Sequence, residues 1–172
     1  MGILDGNPKE EPMHFGEIFN VWSFSTKAKL FLATCQCFVN QAGDKDLKQL
    51  VRDIIEQTKQ EIRQCDDLLT ANGIAPSPML PEKPSANLED IPAGARFADP
   101  EIAAVISGNT AMGLTECSMI MGTAIREDIS AMFGKFHADK TALSARLLKL
   151  NKAKGWLVPP PLQMKHRELV EA

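Results

Sequence analysis

The chain has 172 residues, 44% of them apolar and 24% charged, with a net charge of −3. That length suits one domain with a real core, and the charge balance offers no basic field to draw nucleic acid. No apolar run reaches the ~18–20 residues that span a bilayer, and the opening stretch lacks the basic-then-apolar order of a secretory signal.

Residues 1–13 carry Gly2, Gly6, Pro8 and Pro12 with no apolar period, and read as a flexible leader. All eleven prolines lie outside 13–75 and 101–158. Proline removes a backbone donor and clashes with the preceding turn, so those two stretches are where helices can run. The first helix is expected over about 14–42, on a stripe of Val21, Phe24, Ala28, Phe31, Cys35 and Phe38 in steps of three and four. Gly43 is expected to end it as a left-handed cap.

Asp44 is placed to cap a second helix over about 45–72, with Leu47, Val51, Ile54, Thr58, Ile62, Cys65 and Leu69 on its buried line. Gly73 stops it. A connection of about two residues makes this pair an antiparallel hairpin. Residues 74–98 then show no period and five prolines, a long structureless run that needs a reason. An extended crossover from one end of the bundle to the other supplies it, and sets the third helix parallel to the second.

Asp99-Pro100-Glu101 reads as a helix start with an Asp cap and a proline at the first helical position. The third helix is expected over about 99–122 and the fourth over about 125–154, with a cap pair at Gly122 and Thr123. Helix four buries Ile129, Met132, Phe133, Phe136, Leu143, Leu147 and Leu150, and carries Lys149, Lys152 and Lys154 at its negative end. Gly108, Gly113 and Gly122 on helix three suggest close approach of a neighbouring helix. Trp156, Leu157 and Val158 are expected to fold back on the bundle, and 163–172 reads as a polar tail. The fold class is therefore all-α: one domain over 14–162, two antiparallel hairpins joined by a long crossover, the ferritin-like topology.

That topology often holds two metals through Glu-x-x-His pairs. Here Glu11-x-x-His14 is the one match, and it falls at a helix start with Pro12 inside it. A second arrangement comes from setting the hairpins level. Glu61 then stands at the height of Glu116, with His137 within one turn, and a buried Glu/Glu/His layer has the ligand types for one transition metal ion. Glu17, His14 and Glu127 form a further cluster at the opposite end. Solvated flank residues are the simpler reading of both. The cysteines Cys35, Cys37, Cys65 and Cys117 lack metal-finger spacing and read as reduced core thiols, with Cys37 as an exposed cross-linking candidate. No phosphate loop, nucleophile elbow or Cys/His pair is present.

The segments HFGEIFNVW at 14–22, DIPAGARFADPEIAA at 90–104, IREDISAMFGKFH at 125–137 and LNKAKGWLVPPP at 150–161 together resemble a domain-of-unknown-function family of Bacillus-type spore formers, related to CotF-like spore coat proteins. The resemblance covers about 10–162, and Lys154-Gly155-Trp156 is similar to the CotF-type ending. It implies a ferritin-like bundle made in the cytoplasm and incorporated into the spore coat. Its implied partners are copies of itself or other coat proteins. It implies no reaction, no cofactor and no ligand set.

Overall fold

The computed structural model describes residues 11–162, as four α-helices and two single turns of 3₁₀ helix. The helices are α1 (Phe15–Gln41), α2 (Lys45–Ala71), α3 (Asp99–Thr123) and α4 (Glu127–Lys154). The polar tail and residues 1–10 of the expected leader lie outside the described residues. Leader residues 11–13 do not behave as expected: Glu11 and Met13 are buried, because Met13 joins the apolar cluster at this end of the bundle.

α1 starts at a capping box built on a histidine. The His14 ring Nδ1 accepts from Gly16 N at 3.0 Å, and the Glu17 carboxylate accepts from His14 N at 3.1 Å. Asp44 caps α2 as its sequence suggests, accepting from Asp46 N and Leu47 N at 2.9 and 3.0 Å. α2 ends on Gly73 at φ 75°, with Ile74 N returning to Leu69 O at 2.9 Å. α4 ends likewise on Gly155 at φ 71°.

α1 packs on α2 and α3 on α4, with α1 also against α3 and α2 against α4. Arg126, just past α3, bonds Asn72, just past α2, so both helices finish at the same end and run parallel. At the other end Lys154 bridges Asp44 and Asp46 at 2.7 and 2.9 Å. Residues 74–98 span the length between, along α1. Ser77 holds Thr26 and Lys29, Lys83 N reaches Gln36, and Phe97 N reaches Gln41. The Phe97 ring meets Phe38 edge-on at 5.4 Å. The crossover is thus pinned to one helix, rung by rung.

Two expected caps differ. Gly43 is not left-handed; Ala42 closes α1 in an extended conformation. Asp99 does not cap its own helix, which begins at Asp99 after Ala98. Its carboxylate instead accepts from Gly43 N and Asp44 N, both at 2.9 Å, and ties the start of α3 to the α1–α2 turn. The α3–α4 turn also moves: Thr123 is still helical, and the break is at Ala124–Arg126. Of the residues expected to fold back, Trp156 packs on the core, but Val158 is 90% exposed.

The core is split. One apolar cluster, toward the Asp44 end, gathers Leu32, Phe38, Leu50, Ile54, Ile106 and Leu147. The other, toward the Glu17 end, holds Phe24, Phe133 and Phe136 in mutual ring contact at 5.0–5.8 Å. Between the clusters lies a polar layer.

Candidate functional site

Glu61 belongs to the buried line of α2, one turn past Thr58, and is 3% exposed. A carboxylate there needs a partner. It has Lys140 of α4, whose Nζ lies 2.9 Å from Oε1 and 2.7 Å from Oε2. Gln57 Nε2 donates to Oε1 at 3.0 Å. The Lys140 ammonium also sits 5.5 Å from the centroid of the Phe24 ring. Lys140 reaches the interior past Gly113 of α3, where a Cβ would stand 3.1 Å from its Cδ. That is the use of this glycine. At Gly108 and Gly122 a Cβ would meet nothing within 4 Å, so close approach from a neighbouring helix, the expected reason for all three, holds at Gly113 alone, through a side chain of α4.

Glu116 reaches the same place from α3 and is paired with Lys27 of α1 at 2.8 Å. Glu61, Glu116, Lys27 and Lys140 all line a pocket of about 290 Å³ between α1 and α3, walled by Phe24, Leu30, Phe31, Val105 and Met112. The structure therefore brings Glu61 and Glu116 together, each with its own lysine. His137 is half-buried on a neighbouring turn and does not line the pocket. Among the described residues no group of three or more His, Cys, Asp or Glu side chains is placed to hold a metal ion. The charges at this layer balance, two carboxylates against two ammonium groups.

The second cluster is a strap. Glu17, 1% exposed, accepts from Ile125 N at 2.8 Å and Arg126 N at 3.0 Å, fastening α1 to the α3–α4 turn. Arg126 in turn bonds the Glu11 carbonyl, Asn72 and the Asp128 carboxylate. The Asp128 hydrogen bond, foremost, raises the Arg126 pKa above its ordinary value. His14 is engaged as a helix cap, and Glu127 is exposed.

Sequence reasoning missed Lys140, although its position carried a signal. It stands four residues after Phe136 and three before Leu143, on the buried line of α4. Another buried charge, Lys29, was also missed; it is 2% exposed and bonds Asp66 and the Ser77 carbonyl. Three thiols are interior. Burial pushes Cys35 and Cys117 up to about 12 and Cys65 further still.

The family model described as protein of unknown function (DUF3231) matches residues 1–169, and the chain belongs to that family. It is 50% identical over 169 residues to the Bacillus subtilis protein YvdQ, covering 98% of this chain and 99% of that one. A crystal structure of a "putative spore coat protein" from Bacillus halodurans is 45% identical, with a TM-score of 0.91 over 92% of this chain and all of that one. A two-domain Anabaena variabilis protein, with DJ-1/ThiJ/PfpI-like and ferritin-like domains, matches at TM-score 0.63 and 17% identity, over 94% of this chain and 42% of that one. That likeness is one of fold, and the bundle is ferritin-like.

Proposed function

We propose that this member of the family is a spore-associated structural protein, incorporated into the coat after synthesis in the cytoplasm and acting through its surface on copies of itself or other coat proteins. The observation that carries the reading is the 45% identity, over an almost completely shared bundle, with the Bacillus halodurans protein described in terms of the spore coat. The interior supports it. The acids at the level where a ferritin-like bundle would carry ligands are held by lysines. No reaction is assigned to the chain. No helix among the described residues is long and apolar enough to cross a membrane. A fluorescent fusion followed through sporulation tests the reading. Signal should gather at the forespore surface and stay with purified spores; a uniform signal that leaves spores dark would sink it.

A transition metal ion at Glu61, Glu116 and His137 is the competing reading, favoured by the meeting of the two acids at one pocket. It requires Lys140 to leave Glu61. Elemental analysis of protein purified without chelators decides it: one equivalent of metal, lost in Glu61→Gln, would replace the structural reading of this layer.

A further inference from the structure

From Ile102 to Ile125 the sequence holds one charged residue, Glu116, in a chain that is 24% charged. α3 nevertheless shows a full face to solvent. Val105, Met112 and Met119 are 42%, 69% and 46% exposed, spaced seven apart, and form a ridge along one side of the helix. Beside the ridge runs a line of exposed small residues: Ala104, Gly108, Ala111, Thr115, Ser118 and Gly122. Its hydroxyl protons are taken up by its own helix, since Thr115 and Ser118 each donate to the carbonyl four residues back. The single charge is neutralised by Lys27. An exposed helix face this poor in polar groups is unusual for a solvated surface.

We propose that α3 is the surface through which two copies of this chain pair, antiparallel about a two-fold axis near Met112. Ridge and trough lie side by side with the same seven-residue repeat. A two-fold operation seats the ridge of each copy in the trough of the other, and sets Val105 against the second copy's Met119. A neutral face does not repel its own image, whereas it offers no counter-charge to a nucleic acid, an anionic lipid surface or a charged partner. The pocket beside Met112 points the same way. Glu61 at its floor is satisfied within the chain, and the exposed part of its lining is Leu30, Val105 and Met112 beside Lys27, whose charge is matched by Glu116. From Ala104 to Gly122 the face runs about 27 Å. Leu30 of α1, 62% exposed, widens it.

The pairing deepens the structural reading above and rests on it, but the two fail separately. A protein that pairs through α3 yet never reaches the spore overturns the coat assignment alone. Sedimentation equilibrium of the full chain at micromolar concentration should give a dimer. Ala111→Arg sets a charge in the trough, and Gly108→Leu fills the trough with a better helix former. Both should sediment as monomers of unchanged helicity. In a Cys37→Ser background, Met112→Cys should form a disulfide-linked dimer on mild oxidation, because the axis places this residue against its own copy. A monomeric wild type overturns the proposal, as does a dimer that survives both trough variants or a Met112→Cys variant that stays uncrosslinked.

Discussion

The Lys140 ammonium lies 2.7 Å from Oε2 of Glu61, and joins α4 to α2 through the gap that Gly113 leaves in α3. Gly108 lies in the same helix without such a constraint. The two glycines should therefore respond oppositely to alanine. Gly108→Ala gains about 1 kcal/mol of helix propensity, which raises Tm by about 2–4 °C in a chain of this size. Gly113→Ala has the same intrinsic gain, but its methyl presses on Lys140 methylenes clamped at their far end by Glu61. It should show no rise, or a fall. Paired thermal melts, run dilute enough for the chain to be monomeric, check the contrast; equal gains would mean that Lys140 moves aside freely.

Removing one member of the Glu61–Lys140 pair should cost far more than removing both. Lys140→Met strands a carboxylate that is 3% exposed, and breaking a buried pair this way costs about 3 kcal/mol or more. The double variant Glu61→Leu, Lys140→Met exchanges ions for apolar groups between two apolar clusters and should recover most of that loss. Urea denaturation of the four proteins in the cycle gives the coupling. A Lys140→Met variant as stable as wild type would show the pair to be incidental.

The bundle itself was legible because its signals are local. Proline gaps, apolar spacing in threes and fours, Asp44 and Gly73 each act within one turn, and helix ends were placed to within two residues. What was not legible depends on residues distant in sequence. Asp99 looks like a helix cap, but its carboxylate satisfies amides of Gly43 and Asp44 across the bundle end. Glu17 looks like a first-turn acid or a ligand, and spends its oxygens on His14 N and on the amides of Ile125 and Arg126. The Glu61–Glu116 level was recoverable from hairpin geometry. Lys140 is not legible there, because a lysine on an apolar stripe reads as an interruption until the carboxylate opposite it is placed.

Glu17→Ala should be among the most damaging single changes in the chain. It leaves the amides of Ile125 and Arg126 without their acceptor, the first part-buried and the second buried, and unpaired buried donors cost about 1–3 kcal/mol each. A loss of about 3 kcal/mol is expected in urea, with faster hydrogen exchange at those two amides. Glu17→Gln keeps one carbonyl acceptor and should lose less. Unchanged exchange at Ile125 and Arg126 would show that the strap does not hold the turn.

Acid should weaken the fold through Asp44 and Asp53. The Lys154 hydrogen bond holds the Asp44 carboxyl below its ordinary value, and that of Arg146 does the same for Asp53. In the unfolded chain both protonate near the ordinary Asp pKa of about 3.9. The folded state thus binds fewer protons, and this stability is present above that pH and lost as pH falls through the lowered folded values. Urea midpoints between pH 6 and 2.5, about where such carboxylates titrate, should fall more shallowly at the acid end in Asp53→Asn than in wild type. Parallel curves would remove Asp53 from the account.

The thiols should divide three to one. Cys35, Cys65 and Cys117 are fully buried, and burial raises the pKa of each well above that of a free thiol, to about 12 for Cys35 and Cys117. Both effects suppress the thiolate that reacts with an alkylating agent. Cys37 is half-buried on α1, two residues from Cys35 and turned away from it. At mildly alkaline pH, iodoacetamide should therefore modify Cys37 in the native protein and leave the other three until the bundle is unfolded. Mass spectrometry of the timed reaction reads this directly. Early labelling of Cys65 would mean that the Phe24–Phe133–Phe136 cluster around it opens far more often than its packing implies, and would move the weak point of the fold to that end.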